Sequence, residues 1–265
     1  MNINDIFQTP AAQADFIGAD GLLHCGVCGE AKEAFFSDPI PGVPDRHPVH
    51  CRCRREVWER QEAESQVRRH REKVARLKAR CFKYPEMQRW TFDGAIQTRQ
   101  YGICQKYAES WPEPAETNTG LLLWGGVGTG KSYLACCIAK QACKKRRSAR
   151  YVRLPDLLME RDELAATERS NAKILKKYAR YEILVLDEWL TEDVDDIDIA
   201  FLFELVERRY AAKSTVPCTQ YTPAEWHGRL GGGVQADALV DRLINGAIRI
   251  DLGDVNVRKL LSEKK

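Results

Sequence analysis

The sequence predicts an α/β domain built on a parallel sheet, and three observations carry that prediction. The apolar run Leu121-Leu122-Leu123-Trp124 leads directly into Gly125-Gly126-Val127-Gly128-Thr129-Gly130-Lys131-Ser132. A second apolar run, Ile183-Leu184-Val185-Leu186, ends in Asp187-Glu188. Helix-forming segments follow, such as Tyr133 to Lys145 and the apolar-periodic Ile199 to Leu205. Buried strands alternating with helices are the signature of a parallel sheet covered on both faces.

The first run reads as strand, phosphate loop and helix. G-x-x-x-x-G-K-S needs glycines so that the backbone curls round a phosphate chain without Cβ clashes, with successive N–H groups and the next helix's N-terminus aimed at the oxygens. Gly125, Gly126, Val127, Gly128, Thr129, Gly130 and Tyr133 form or border the cradle. Lys131 reaches the β and γ phosphates, and Ser132 places its hydroxyl on Mg²⁺. ATP and Mg²⁺ are the expected ligands.

The second run supplies the hydrolytic half. Asp187 lies 56 residues after Lys131. Its strand is expected beside the phosphate-loop strand, which puts Asp187 near the Mg²⁺ held by Ser132 and lets Glu188 polarise the attacking water. A small-molecule kinase is the alternative, but it needs an acceptor pocket and a lid, and the sequence offers no clear lid.

Composition bounds the rest. The chain has 265 residues, 44% hydrophobic content and a net charge of +3. That is material for one full α/β core and a smaller module, and the charge alone argues no nucleic-acid binding. No run approaches the roughly 20 apolar residues of a membrane span, and Met1-Asn2-Ile3-Asn4-Asp5 lacks the regions of a signal peptide, so a cytoplasmic protein is expected.

Ten cysteines fall into two groups. Cys25, Cys28, Cys51 and Cys53 form two close pairs, which in a cytosolic chain favour thiolate ligation of Zn²⁺. The pairs are separated by 22 residues that include Pro39-Ile40-Pro41-Gly42-Val43-Pro44, a segment unable to build its own core. The Cys51-Arg52-Cys53 spacing is one residue short of the common pattern, and His24, His47 and His50 are nearby substitutes. Four thiolates would close the tetrahedron, making the zinc structural. Cys81, Cys104, Cys136, Cys137, Cys143 and Cys218 read as small apolar fillers.

Arg55 to Arg80 contains no Gly or Pro and reads as one helix. Ala63, Val67, His70, Val74, Leu77 and Cys81 make a thin heptad stripe, expected to pack on the chain's own domain. From Arg52 to Arg80 there are 11 basic and 5 acidic residues, and Lys144-Lys145-Arg146-Arg147 closes the helix after the phosphate loop. A solvated face and helix-dipole partners are the simpler readings; the alternatives are a nucleic-acid or helicase contact for the linker and a single-strand contact through 144–147 and Arg150. Glu192, Asp193, Asp195, Asp196 and Asp198 suit a helix N-terminus rather than a metal cage.

Farther on, Ser214 to Gln220 reads as a strand in which Pro217 hints at an edge or an irregularity. Gln220 is placed to touch the γ-phosphate or attacking water. Asp237 to Ile244 reads as a helix and Ala247 to Leu252 as a strand. Arg242 either pairs with a carboxylate of its own chain or enters a neighbour's nucleotide site as an arginine finger.

These residues together resemble the DnaC/IstB family of AAA+ ATPases. The likeness rests on Gly125 to Ala135, Leu184 to Glu188, Phe203 to Tyr210, Thr219-Gln220, Glu225-Trp226-His227 and Ala236 to Leu243, and it covers about Thr91 to Lys259. It implies a P-loop AAA+ core with a parallel sheet flanked by helices and no full lid domain, preceded by the small four-cysteine zinc module and linker helix. The expected domains are 1–55 for the zinc module, 56–90 for the linker and 91–265 for the ATPase. The resemblance implies Gln220 as sensor 1, Arg242 as a finger acting in trans and Arg258 as sensor 2. Asp187-Glu188 departs from the Asp-Asp of many members, and Asn256-Val257-Arg258 matches the sensor 2 surroundings only loosely.

The functions implied are a replicative-helicase loader that hydrolyses ATP as a homo-oligomer on single-stranded DNA, or the ATPase helper of a DNA transposase, with single-stranded or double-stranded DNA as the expected partner. The Gln220 and Glu225-Trp226-His227 region leans to the helper and the Cys-rich N-terminus to the loader, which is the reading adopted from sequence. A nucleotide-dependent adaptor that scarcely hydrolyses is the third; retention of Lys131, Asp187 and Glu188 speaks against it.

Overall fold

The computed structural model of the chain describes residues 14–38, 42, 44–110, 119–168, 170–210 and 212–262. The N-terminal pentapeptide and most of the 39–44 Pro-Gly run lie outside them. The chain divides into two compact units, Met1–Arg71 and Glu72–Lys265.

The first unit has almost no apolar interior. Strand β1 (Phe16–Ile17) pairs antiparallel with β2 (Leu23–His24), and β3 (Glu33–Phe35) with β4 (Arg46–Pro48). Among its described residues the buried apolar side chains are Leu22, Cys25 and Cys51. Strands of two or three residues over so small a core need a cross-link. Helix α1 (Arg52–Cys81) follows, uninterrupted because no Gly or Pro breaks it. The heptad stripe packs only at its C-terminal end, where Cys81 is fully buried. Ala63 and His70 are exposed and Val67 is 50% exposed, so the expectation that the whole stripe packs on the chain's own domain is corrected. Side chains as small as Ala or as polar as His gain too little from burial to draw the helix down.

The second unit carries a five-stranded parallel sheet of β5 (Leu121–Trp124), β6 (Ala149–Arg153), β7 (Ile183–Asp187), β8 (Ser214–Thr219) and β9 (Ile248–Asp251), in the order β6-β7-β8-β5-β9. Period-two alternation sorts its side chains. Leu121, Leu123, Ile183, Val185, Val216 and Cys218 face one layer, with α2 (Arg99–Ser110) and α3 (Lys131–Lys144). Leu122, Leu184 and Leu186 face the other, with α4 (Leu154–Glu168), α5 (Ala172–Ala179), α6 (Asp196–Glu207), α7 (Pro223–Arg229) and α8 (Gly233–Ile244). A short α9 (Val257–Ser262) comes after β9.

Two expectations change here. β7 does not lie beside β5, because β8 pairs with both and stands between them. Apolarity on both faces shows that a strand is central, but its neighbours are chosen by where the crossover helices return it. Pro217 therefore sits in a central strand rather than at an edge. The ladder between β5 and β8 begins at Leu123↔Cys218, one residue past it, so the missing N–H removes no registered bond on that side.

Asp195 and Asp198 close a reciprocal capping box at the start of α6, with the Asp195 carboxylate accepting from the Asp198 N–H at 2.8 Å. The acidic run thus serves a helix end. Between α1 and α2, residues 85–94 form two 3₁₀ turns against α3: Trp90 stacks on Tyr133 with ring centres 5.4 Å apart. No helix among the described residues is long and apolar enough to cross a membrane.

Candidate nucleotide site and cysteine cluster

The loop from Gly125 to Gly130 joins the end of β5 to the start of α3, as the sequence requires. Gly125, Gly128 and Gly130 all have positive φ, at 139°, 81° and 98°, where any Cβ would be strained. A Cβ at Gly130 would meet nothing within 4 Å. That open space lies against the first turn of α3, whose N–H groups have no helical partner and form an anion seat. Thr129 Oγ1 braces the loop by donating to the Gly126 carbonyl at 2.9 Å. Val127 stands 65% exposed at its crest.

Lys131 folds back into this cradle, its Nζ donating to the carbonyls of Gly125 and Gly126 at 2.7 Å each. Burial pulls its ammonium below the ordinary value, and the nearby Asp187 charge opposes that. A phosphate chain offers the same ammonium better acceptors, so the residues present fit a nucleotide. Ser132 and Tyr133 follow on α3, and the Tyr133 hydroxyl donates to the Thr91 carbonyl at 2.7 Å.

Asp187 ends β7, only 4% exposed. Its carboxylate accepts the Glu188 N–H at 3.0 Å and, on the other oxygen, the Tyr151 hydroxyl. Tyr151 is pushed far up, by burial first and by the Asp187 charge next, so it stays a donor. Glu188 has φ 56° and Leu190 φ 55°. That left-handed turn re-aims Glu188 out of the strand and is backbone strain concentrated at the site. Its carboxylate lies 3.6 Å from Arg153 Nη1, while Arg153 also grips Asp156 at 2.9 and 3.1 Å. Burial raises the Glu188 carboxyl above the usual range, and Arg153 pulls it back.

Tyr151 and Arg153 escaped the sequence reading. The signal was the alternation Ala149, Tyr151, Arg153, which stands in register with Ile183, Val185 and Asp187 on one face of the sheet. Basic residues at 150 and 153 hid it.

The other expected residues separate into two regions. Gln220 is exposed and follows buried Thr219, whose register partner is Trp124 at the mouth of the loop. Arg258 lies at the start of α9, where the N–H groups of Val257 and Arg258 approach the Gly128 carbonyl at 2.9 and 3.4 Å. The loop is held there closely: Gly126 N–H donates to Gly253 at 2.8 Å, and a Cβ at Gly128 would fall 2.4 Å from Asn256.

Arg242 is elsewhere. On α8 it pairs with Glu207 and lies over the rings of Phe203 and Tyr210, at 5.1 and 5.8 Å. It borders a cavity of about 280 Å³ whose walls include Gly120, Thr215 and Ala247, at the amino ends of β5, β8 and β9. Four residues of β5, at about 3.3 Å each, set that end roughly 13 Å from the chain's own phosphate loop.

In the first unit, the sulfurs of Cys25, Cys28, Cys51 and Cys53 lie within 4.8 Å of one another. Cys25–Cys53 and Cys51–Cys53 are 3.5 and 3.4 Å apart. Tetrahedral zinc with Zn–S near 2.3 Å needs edges of about 3.8 Å, so the cluster is close to that size. Cys28 is lowered to about 6 by N–H groups of Cys53 and Glu30, whereas hydrogen bonds to Cys51 and Cys25 push Cys53 up to about 12. Four crowded thiols can all ionise only against a cation, so the donor set fits one. Of the nearby histidines, His24 is engaged by Asp20 and the Gly29 carbonyl, and the ring of His47 lies against Phe36.

The scattered cysteines are buried fillers, Cys81, Cys104, Cys136, Cys143 and Cys218 at 0% exposure.

Comparison with known proteins agrees with this geometry. A sequence profile described as "IstB-like ATP binding protein" matches residues 56–264. A "Putative insertion sequence ATP-binding protein" of Sinorhizobium fredii is 35% identical over 136 residues, 51% of this chain and 54% of that one. The "Insertion sequence IS232 putative ATP-binding protein" of Bacillus thuringiensis is 28% identical over 52% of this chain and 54% of its own. The match thus spans about half the length of these relatives. Among solved structures, the DnaC helicase loader superposes with TM-score 0.55 at 21% identity, covering 65% of this chain and 100% of that one. AMPPCP-bound DnaA from Aquifex aeolicus gives 0.55 at 19%, covering 69% and 56%. Those two likenesses establish the α/β fold, and the profile match over most of the length establishes that the chain belongs to the family of IstB-like ATP-binding proteins, built on the AAA+ fold.

Proposed function

We propose that this protein is an ATPase that assists a DNA transposase, hydrolysing ATP between subunits of a homo-oligomer on DNA. The observation that carries the reading is the joint presence of Lys131, a buried Asp187 and a turned-out Glu188 on one nucleotide site, in a chain whose relatives are ATP-binding proteins of insertion sequences. In this reading Lys131 leaves the Gly125 and Gly126 carbonyls for the β and γ phosphates. Asp187, oriented by Tyr151, would hold Mg²⁺ with Ser132, and Glu188 would orient water for attack on the γ-phosphate. Mg²⁺ would neutralise charge developing on the phosphate oxygens. Gln220 and Arg258 are the candidate γ-phosphate contacts. Arg242 faces away from its own loop, which suits a finger that completes a neighbour's site. The zinc cluster of Cys25, Cys28, Cys51 and Cys53 holds together a unit whose apolar core is too small to do so alone.

Turnover with and without duplex DNA tests the chemistry. Lys131→Ala should lose ATP binding, whereas Glu188→Gln should bind ATP and lose turnover. Equal ATP affinity in wild type and Lys131→Ala would remove the site assignment, and full turnover in Glu188→Gln would remove the base. The cysteine cluster favours a second reading, a replicative-helicase loader. Co-purification with a transposase or with a hexameric helicase separates the two.

A further inference from the structure

The phosphate loop is braced by the chain that follows β9. Leu252 N–H donates to the Trp124 carbonyl at 2.9 Å, continuing the ladder between β5 and β9. The Asp251 side chain then accepts the Gly253 N–H at 2.8 Å, and Gly253 turns the chain at φ 64°. From there residues 253–258 lie along the loop as a strap. Gly126 N–H donates to the Gly253 carbonyl at 2.8 Å, and the N–H groups of Val257 and Arg258 approach the Gly128 carbonyl at 2.9 and 3.4 Å. The glycines of the loop admit this approach. A Cβ at Gly125 would fall 2.7 Å from the Gly253 carbonyl oxygen, one at Gly126 would fall 2.9 Å from Asp254 Oδ1, and one at Gly128 would lie within 2.7 Å of the Asn256 carboxamide carbon, oxygen and nitrogen.

Asn256 joins the strap to α9. Its Oδ1 accepts the Lys259 N–H at 3.0 Å and its carbonyl accepts the Leu260 N–H at 3.2 Å, which makes it the N-cap of that helix. The cap fixes the first turn of α9, and with it the direction of the two N–H groups that hold the Gly128 carbonyl. A trans peptide is planar, with its C=O and N–H pointing opposite ways. Tying the Gly128 carbonyl to the strap therefore turns the Thr129 N–H away from the strap, toward the other side of the loop. Thr129 is only 6% exposed, and among the described residues its N–H has no acceptor. A buried N–H left without an acceptor is costly, and a bound oxyanion removes that cost. Capping alone accounts for the bond to Lys259. It does not account for a carboxamide pressed against Gly128, nor for an unsatisfied N–H on the far side of the same peptide.

We infer that Asn256 is a positioning residue of the nucleotide site: by capping α9 it keeps the Gly128–Thr129 peptide turned so that the Thr129 N–H meets a phosphate oxygen of a nucleoside di- or triphosphate. The inference rests on the nucleotide-site reading above and adds a residue to it. The strap touches the loop and not the reacting atoms, so Asn256 acts on the binding of ATP and ADP alike and leaves the chemical step alone.

The experiment measures the affinity of the full chain for ATP and for ADP, each with Mg²⁺, together with kcat. Asn256→Ala should weaken both nucleotides by the same factor, about 5–10-fold, the size of a lost helix cap expressed as binding, with kcat unchanged. Asn256→Ser can cap again and should restore both affinities. Asp195→Ala removes the cap of α6 and should leave both at the wild-type value. In the wild-type chain, saturating ADP should slow hydrogen exchange at the N–H groups of Val257 and Arg258, because a coupling between loop and strap is reciprocal. Wild-type ADP affinity in Asn256→Ala, a loss confined to ATP or to kcat, no recovery in Asn256→Ser, or an equal loss in Asp195→Ala overturns the inference. So does exchange at Val257 and Arg258 that ADP leaves unchanged, a measurement that needs no variant to fold. Loss of ATP binding in Lys131→Ala beside wild-type affinity in Asn256→Ala would remove this inference and leave the nucleotide site standing.

Discussion

Replacement of Arg242 by alanine separates a structural role from one in catalysis between subunits, because the structure fixes what each must cost. Within one chain Arg242 pairs with Glu207, the two side chains 24% and 45% exposed, and lies over Phe203 and Tyr210. A partly exposed ion pair contributes about 0.2–1 kcal/mol, and each ring contact about 0.5–1 kcal/mol. Losing all three lowers stability by about 1–3 kcal/mol, a melting shift of roughly 2–12 °C for a domain of this size. Turnover in the folded protein would then be unchanged. A finger, by contrast, stabilises charge in the transition state and is worth about 10³–10⁵ in rate, with ATP affinity nearly intact. Glu207→Gln decides between them: it breaks the same ion pair but keeps the guanidinium. We expect Glu207→Gln to melt somewhat lower yet hydrolyse ATP, and Arg242→Ala to bind ATP without hydrolysing it. Phosphate release and binding of a fluorescent ATP analogue read the two quantities. Mixing Arg242→Ala with Lys131→Ala should restore part of the activity, since only a mixed interface pairs a working pocket with an intact arginine. Wild-type turnover in Arg242→Ala, or an inactive mixture despite proven co-assembly, refutes the reasoning and leaves Arg242 a structural residue.

The cysteine cluster should hold about one zinc per chain, and a chelator should unfold the Met1–Arg71 unit while ATP binding persists; elemental analysis of reduced protein showing no zinc would contradict this. Because burial raises the Glu188 carboxyl and Arg153 lowers it, Arg153→Ala should raise it further. The acidic limb of turnover should therefore move to higher pH, since a base is lost once protonated; a limb that stays put or moves down would exclude Arg153 as its regulator. Tyr151→Phe removes the hydroxyl that orients Asp187. The Mg²⁺ needed for half-maximal turnover should rise about 10–100-fold, and an unchanged Mg²⁺ dependence would reduce Tyr151 to a core residue.

The sequence by itself determined the elements whose chemistry is local. The phosphate loop had to follow β5 and open α3, because only a glycine-rich turn between a buried strand and a helix aims successive N–H groups at one point. Continuous apolar runs at Leu121 to Leu123 and Ile183 to Leu186 required a parallel sheet covered on both faces, and the absence of Gly and Pro gave α1 its length. The resemblance added the AAA+ fold, which the comparisons bear out. Two close cysteine pairs were likewise legible, and the structure brings all four sulfurs together.

Tertiary structure decided what depends on neighbours distant along the chain. Strand order was one such matter: apolarity cannot say whether β8 or β7 sits beside β5. The edge strand β6 was another, since its outer side needs no apolar residues and its arginines masked the periodicity. Tyr151 and Arg153 went unseen for that reason, although they touch Asp187 and Glu188 only because β6 and β7 align Val152 with Leu186 and Arg153 with Asp187. The left-handed turn at Glu188 belongs to the same class. Each is a relation between segments, set by packing and register rather than by any residue's own preference.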